Sequence, residues 1–179
     1  MALQLAVDQP QFVGRLVLLA PVEDEARVAP WRRAARLPYV GRVAAWAGGA
    51  GGPLWGTLQR RCFKDPSLAT TSYLQAVRAP GRIVGTMDAL LAMARSPEDS
   101  DLPGALSRVQ APVLVVAGEE DRVAPPRDAE RLAEALPDAT LVLLPDAGHA
   151  LHVERSTEVN RLLIAFALDG SVDGATTQR

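Results

Sequence analysis

The sequence is short of cysteine. With Cys62 alone, no intramolecular disulfide can form, and a reducing cytoplasm is the expected setting. Nothing around Cys62 marks it as a catalytic thiol. Neither sign of charge is in excess: 19 Lys and Arg against 21 Asp and Glu leave a formal net charge of −2. That balance gives no basic bias toward nucleic acid or an anionic membrane surface. No apolar run approaches the roughly 18 residues of a membrane span, and no basic segment followed by a long apolar one marks a secretory signal. These absences predict a soluble, cytoplasmic protein without nucleic-acid or membrane partners. What is present, 179 residues of which 48% are hydrophobic and 22% charged, argues against disorder and fits one domain of ordinary size with its own core.

Glycine and proline, 14 of each, concentrate between Pro38 and Pro112 and mark that stretch as a separate layer. Before it, Ala2–Val7 reads as a helix closed by Asp8-Gln9-Pro10, because proline disfavours helical geometry at the residue before it. Arg15–Ala20, stopped by Pro21, is a continuous apolar run of the kind that forms a parallel strand buried on both faces. Ala- and Arg-rich helical segments follow at Glu23–Arg36, Tyr39–Trp46, Leu54–Phe63, Ser67–Val77 and Arg82–Ala94. Gly48 to Pro53 connects two of them flexibly; it lacks the Lys-Ser/Thr ending and strand-to-helix setting of a phosphate cradle. After the acidic loop Ser96–Asp101 come a buried strand (Ala111–Ala117), a helix (Pro126–Leu136), a strand (Thr140–Leu144) and a final helix (Val153–Leu168). The small, polar tail from Gly170 is expected to fray. Strands alternating with helices predict an α/β fold with a mostly parallel sheet flanked by helices and a helical insertion.

Reactive groups in such a sheet gather at the carboxyl ends of the strands. After Ala117 comes Gly118-Glu119-Glu120-Asp121, where a short acid can accept the Nδ1 proton of a histidine and orient its ring. The alternative is a solvated acidic turn. After Leu144 comes Pro145-Asp146-Ala147-Gly148-His149, which carries a histidine on the next strand end. One helix and one strand separate Asp121 from His149, so both loops lie on the same edge of the sheet. His152, near Asp146 and Glu154, raises a metal-binding alternative, but two histidines three residues apart without a third firm ligand rarely make a site. No metal or cofactor is expected.

The run Pro112 to Pro125, then a helix, then Leu143-Leu144-Pro145-Asp146-Ala147-Gly148-His149, Glu154 and a last helix containing Ile164-Ala165-Phe166, resembles the last third of α/β-hydrolases. The start of the chain, through Phe12-Val13-Gly14 to Pro21, resembles the helix and strand that follow their nucleophile. The resemblance implies a hydrolase core at 1–22 and 96–170, a helical cap at 23–95 and a flexible tail at 171–179. It implies a small-molecule substrate, an ester or similar small apolar compound, with His149 as base and Asp121 as its acid. Glu23 and Asp24 occupy a place where some relatives carry that acid instead. Trp31, Trp46, Trp55, Phe63 and Tyr73 are expected to pack the insertion's core rather than line a pocket.

The nucleophile of that family sits in G-x-S-x-G on a sharp strand-to-helix turn, and this chain has no such turn. Ser67 and Ser72 lie in the insertion, Ser96 and Ser100 in a loop, and Ser107, Ser156 and Ser171 lack flanking glycines. The resemblance therefore implies an incomplete α/β-hydrolase fold: the C-terminal portion of a longer hydrolase, with a Ser or Asp nucleophile just before Met1. Alone it is expected to be nearly inactive, and to expose the sheet edge left by missing strands. The rival readings are a non-catalytic binding or scaffold protein on a degenerate hydrolase fold, and an acyltransferase or haloperoxidase-type relative. The pattern specifies no oligomeric state.

Overall fold

The computed structural model describes residues 1–22, 37, 39–49, 52–95, 102–170 and 172. The expected helix Glu23–Arg36, with Trp31 and the alternative acids Glu23 and Asp24, and the acidic loop Ser96–Asp101 lie outside the described residues. The chain divides into two compact units, Met1–Glu23 together with Ser100–Arg179, and Asp24–Asp99.

In the first unit, α1 (Ala2–Asp8) ends at Gln9, whose φ of −138° and ψ of 59° are the non-helical geometry that Pro10 imposes. A single 3₁₀ turn, Pro10–Phe12, leads to β1 (Leu16–Leu19).

The second unit then intervenes with α2 (Val40–Gly48), α3 (Trp55–Arg61), α4 (Thr71–Arg78) and α5 (Thr86–Arg95). Two expected helices start later than the periodicity suggests. The segment Ser67–Val77 is a 3₁₀ turn, Pro66–Leu68, followed by α4. Polar side chains make this break: Asp65 Oδ1 accepts from Ser67 N at 2.9 Å, and Thr70 Oγ1 caps α4 by accepting from Tyr73 N at 3.2 Å. The Ser67 bonds, side-chain and backbone, hold the exposed Asp65 carboxyl below its ordinary range. The segment Arg82–Ala94 likewise becomes a 3₁₀ turn, Ala79–Arg82, then Gly85 at φ 89°, then α5, because proline and a left-handed glycine interrupt the helix.

The aromatic expectation holds only in part. Phe63 is buried and meets Tyr73 edge-to-face at 5.1 Å, and burial raises the Tyr73 phenol above its ordinary pKa with a smaller contribution from Cys62. Trp46, by contrast, is 63% exposed.

Back in the first unit, the short α6 (Leu102–Ala105) and a 3₁₀ turn, Leu106–Arg108, were not expected; they place Leu106 and Val109 in the core. Then follow β2 (Val113–Gly118), α7 (Pro126–Ala135), β3 (Ala139–Leu144), α8 (Leu151–Glu154) and α9 (Ser156–Asp169). The single expected final helix is broken at Arg155, whose φ of −125° and ψ of 43° leave the helical region. Past α9, the left-handed Gly170 donates back to the Phe166 carbonyl at 3.1 Å, a glycine stop. Val172, expected in a frayed tail, is buried in the core.

The three strands are parallel in the order β1-β2-β3, with Leu16 beside Val113 and Val113 beside Ala139. All six residues of β2 are buried. Alternation explains why a continuous apolar run is needed there. Val113, Val115 and Ala117 face a core shared with Ala6 and Val7 of α1 and Ala129 and Leu132 of α7. Leu114 and Val116 face the opposite core, shared with Val159, Leu162 and Phe166 of α9. β1 departs from expectation: Leu16 is buried, but Leu19 is 37% exposed. Among the described residues β1 pairs on one side only, which is the open sheet edge expected of an incomplete fold. No helix of the described residues is long and apolar enough to cross a membrane.

Phe166 is among the largest fully enclosed side chains of the second core. Phe166→Ala is expected to cost about 3–5 kcal/mol in urea unfolding followed by circular dichroism. A loss below about 1 kcal/mol would show that α9 is not part of the sheet's core.

Candidate active site

The site is built where β2 and β3 end side by side. Gly118 is paired with Leu144 as the last residue of its strand. A Cβ on Gly118 would lie 2.2 Å from the Ala147 carbonyl oxygen and 2.6 Å from that of Gly148. Only a residue without a side chain lets the two backbones run this close, so here glycine serves proximity rather than a left-handed turn. The ladder continues past the strands: Glu119 N donates to the Leu144 carbonyl at 3.0 Å, and Glu120 N to the Ala147 carbonyl at 3.0 Å.

Asp121 follows at once, its N–H turned back to the Gly118 carbonyl at 3.3 Å. Its side chain is fully buried, and both carboxylate oxygens are in use. Oδ1 accepts from Val123 N at 2.7 Å and from Ala124 N at 2.8 Å. Oδ2 lies 2.8 Å from His149 Nδ1. The solvated-turn alternative therefore does not describe Asp121, although Glu119 beside it is exposed. Pro125 and Pro126 close the loop, Pro126 occupying the first turn of α7, where a missing N–H is harmless.

The histidine comes from the loop after β3. Asp146 takes the left-handed conformation, φ 58°, which a short polar side chain tolerates. Ala147 N then donates to Glu120 Oε2 at 3.1 Å, and Gly148 N to Glu154 Oε2 at 2.7 Å. His149 keeps 28% of its side chain exposed, so the ring is only partly buried while its Nδ1 is held against Asp121. An ionised carboxylate only accepts hydrogen bonds, so the neutral ring carries its proton on Nδ1, which leaves the Nε2 lone pair free. An imidazole held this way can take a proton at Nε2 while the buried carboxylate stabilises the resulting cation.

The structure thus brings together the two residues singled out in the sequence, Asp121 and His149. It leaves His152 exposed on α8, and among the described residues no group of three or more His, Cys, Asp or Glu is arranged to hold a metal ion. Glu120 and Glu154 were not anticipated in their roles, because a side chain bonding to backbone follows no periodic pattern. The signals were the nearness of Glu120 to Asp121 in sequence and the place of Glu154, after His149, in the run that carries the family resemblance.

Comparison with known proteins extends this geometry. Residues 1–162 match the model of the alpha/beta hydrolase family. RutD of Pseudomonas savastanoi pv. phaseolicola, a candidate carbamate hydrolase, is 37% identical over 79 residues, 44% of this chain and 30% of that protein. The dihydrolipoyllysine-residue acetyltransferase component of the acetoin cleaving system of Pseudomonas putida is 33% identical over 109 residues, 58% of this chain and 28% of its own length. Among solved structures, the enol-lactonase of Burkholderia xenovorans LB400 superposes with a TM-score of 0.68 at 20% identity, over 94% of this chain and 61% of that one. A thermophilic esterase from Thermogutta terrifontis gives 0.65 at 24% identity, over 93% and 60%. The chain thus spans about a third or less of these curated relatives and about three fifths of these solved chains. With the family model covering nearly all of it and the same fold found in these structures, the chain belongs to the alpha/beta hydrolase family.

Proposed function

We propose that His149 and Asp121 are the base and orienting acid of a hydrolase acting on an ester or similar small apolar substrate. The observation that carries this reading is the 2.8 Å contact between His149 Nδ1 and a buried Asp121 carboxylate whose other oxygen is saturated by two backbone N–H groups. Asp121 is thereby fixed before the histidine is added.

With a serine nucleophile, His149 Nε2 removes the hydroxyl proton as the oxygen bonds to the substrate's carbonyl carbon. It returns that proton to the leaving alcohol as the C–O bond breaks. A water then repeats the sequence, its proton going to Nε2 and its oxygen to the acyl carbon, which releases the acid and regenerates the serine. With an aspartate nucleophile His149 acts on the water alone. Because no serine of residues 1–179 stands in G-x-S-x-G, we assign the nucleophile to sequence preceding residue 1. We assign the unit Asp24–Asp99 the part of a cap that selects substrate, as the family resemblance implies.

In the protein translated with its preceding sequence, His149→Ala is expected to lower kcat on a p-nitrophenyl ester by about 10⁶-fold, and Asp121→Asn by about 10⁴-fold, with KM nearly unchanged. Activity within tenfold of wild type in His149→Ala would remove His149 from the mechanism.

Residues 1–179 by themselves are expected to hydrolyse the same ester no faster than their own His149→Ala variant. Histidine-dependent turnover by this segment alone would show that the nucleophile lies within it.

A further inference from the structure

We propose that Glu154 is a positioning residue for His149, acting through the backbone of Gly148. The proposal rests on the reading of His149 as the base.

The peptide N–H of Gly148 is the last main-chain donor before His149. Its acceptor is Glu154 Oε2 at 2.7 Å, reached across six residues. The donor before it, Ala147 N, is also taken by a carboxylate, Glu120 Oε2, at 3.1 Å. Two successive peptides leading into the histidine are therefore held from two directions: Glu120 from the acid turn, and Glu154 from the helix that follows the histidine. Charge-assisted bonds of this kind are shorter and stronger than neutral ones and fix a direction.

The break in the C-terminal helix gains a purpose here. α8 is only four residues long, Leu151–Glu154, before Arg155 leaves the helical region. It is held by Val153 N and Glu154 N donating to the Ala150 carbonyl at 2.7 and 3.1 Å. Glu154 is its last residue, and the Gly148 contact closes a ring of chain with His149 inside it. His149 is then held at two points, by Asp121 at Nδ1 and by Glu154 through the preceding peptide. The second point matters because the Asp121 bond acts on the ring alone, and the backbone that carries the ring is fixed separately through the Gly148 peptide. A shift of about 1 Å at a reacting group costs about a hundredfold in rate.

The acid side stands apart from this tether. Asp121 is fixed by Val123 N and Ala124 N within its own loop. Loss of the Glu154 carboxylate should therefore loosen the histidine side and leave the acid side intact, whereas a general structural role would loosen both.

The test is amide hydrogen exchange by NMR on the ¹⁵N-labelled chain, in wild type, Glu154→Ala and Glu154→Gln. Gly148 is expected to exchange slowly in wild type, at least about tenfold faster in Glu154→Ala, and slowly again in Glu154→Gln, whose amide oxygen can still accept. Val123 and Ala124 keep their wild-type rates throughout, and the His149 Nδ1 proton resonance is seen in wild type and Glu154→Gln but lost in Glu154→Ala. Equal Gly148 exchange in all three proteins, or equal acceleration of Val123 and Ala124, overturns the proposal. Should Glu154→Ala fail to fold, Glu154→Gln decides alone: the Gly148 amide proton, bonded to a neutral amide oxygen in place of a carboxylate, is expected to move upfield of its wild-type position, and a proton resonance unchanged from wild type overturns the proposal. None of these readouts is turnover. An active His149→Ala enzyme would end the base assignment while leaving the tether standing.

Discussion

The site depends on the absence of a side chain at Gly118. The backbones after β2 and β3 run so close there that a Cβ would sit 2.2 Å from the Ala147 oxygen. That contact lets the strand pairing continue through Glu119 and Glu120 into the loops. Two loops far apart in sequence thereby become one rigid object. Asp121 and His149 stand on its two halves, so their 2.8 Å separation follows from register rather than from the flexibility of either loop. Sites carried on rigid elements hold their geometry better than sites on independent loops.

The same register explains the composition of β2. A central strand covered by helices on both faces must be apolar throughout, and all six residues are buried. The polar sequence begins where the sheet ends, with the acidic turn. The change from Val-Leu-Val-Val-Ala to Gly-Glu-Glu-Asp is thus a map of where the core stops and chemistry starts. The helix break at Arg155 belongs to the same object, since it leaves Glu154 at the end of a four-residue helix bonded back to Gly148.

What the sequence made legible divides along physical lines. β2, β3 and α7 were readable because burial on fixed faces imposes periodicity, and the nearness of Asp121 to His149 because their loops leave neighbouring strand ends. The apolar run of β1 reads as a strand covered on both faces, and its partial exposure at Leu19 goes with the bare sheet edge expected of an incomplete fold. The breaks before α4 and within the last helix were missed because they are set by local polar bonding and by one residue's dihedral angles, to which hydrophobic periodicity is blind. The same holds for Glu120 and Glu154, whose partners are backbone N–H groups. The short helix at Leu102 and the burial of Val172 depend on tertiary contacts that no local window contains.

The central claim is that Asp121 fixes His149 as the Nδ1–H tautomer and leaves Nε2 free to act as a base. The most direct measurement is the pair of ¹⁵N shifts of the His149 ring, recorded where the imidazole is neutral. The account predicts a protonated, pyrrole-type Nδ1 and an unprotonated, pyridine-type Nε2, a difference that collapses in Asp121→Asn. Reversed shifts in the wild-type chain, or two shifts averaged between the tautomers, would contradict it.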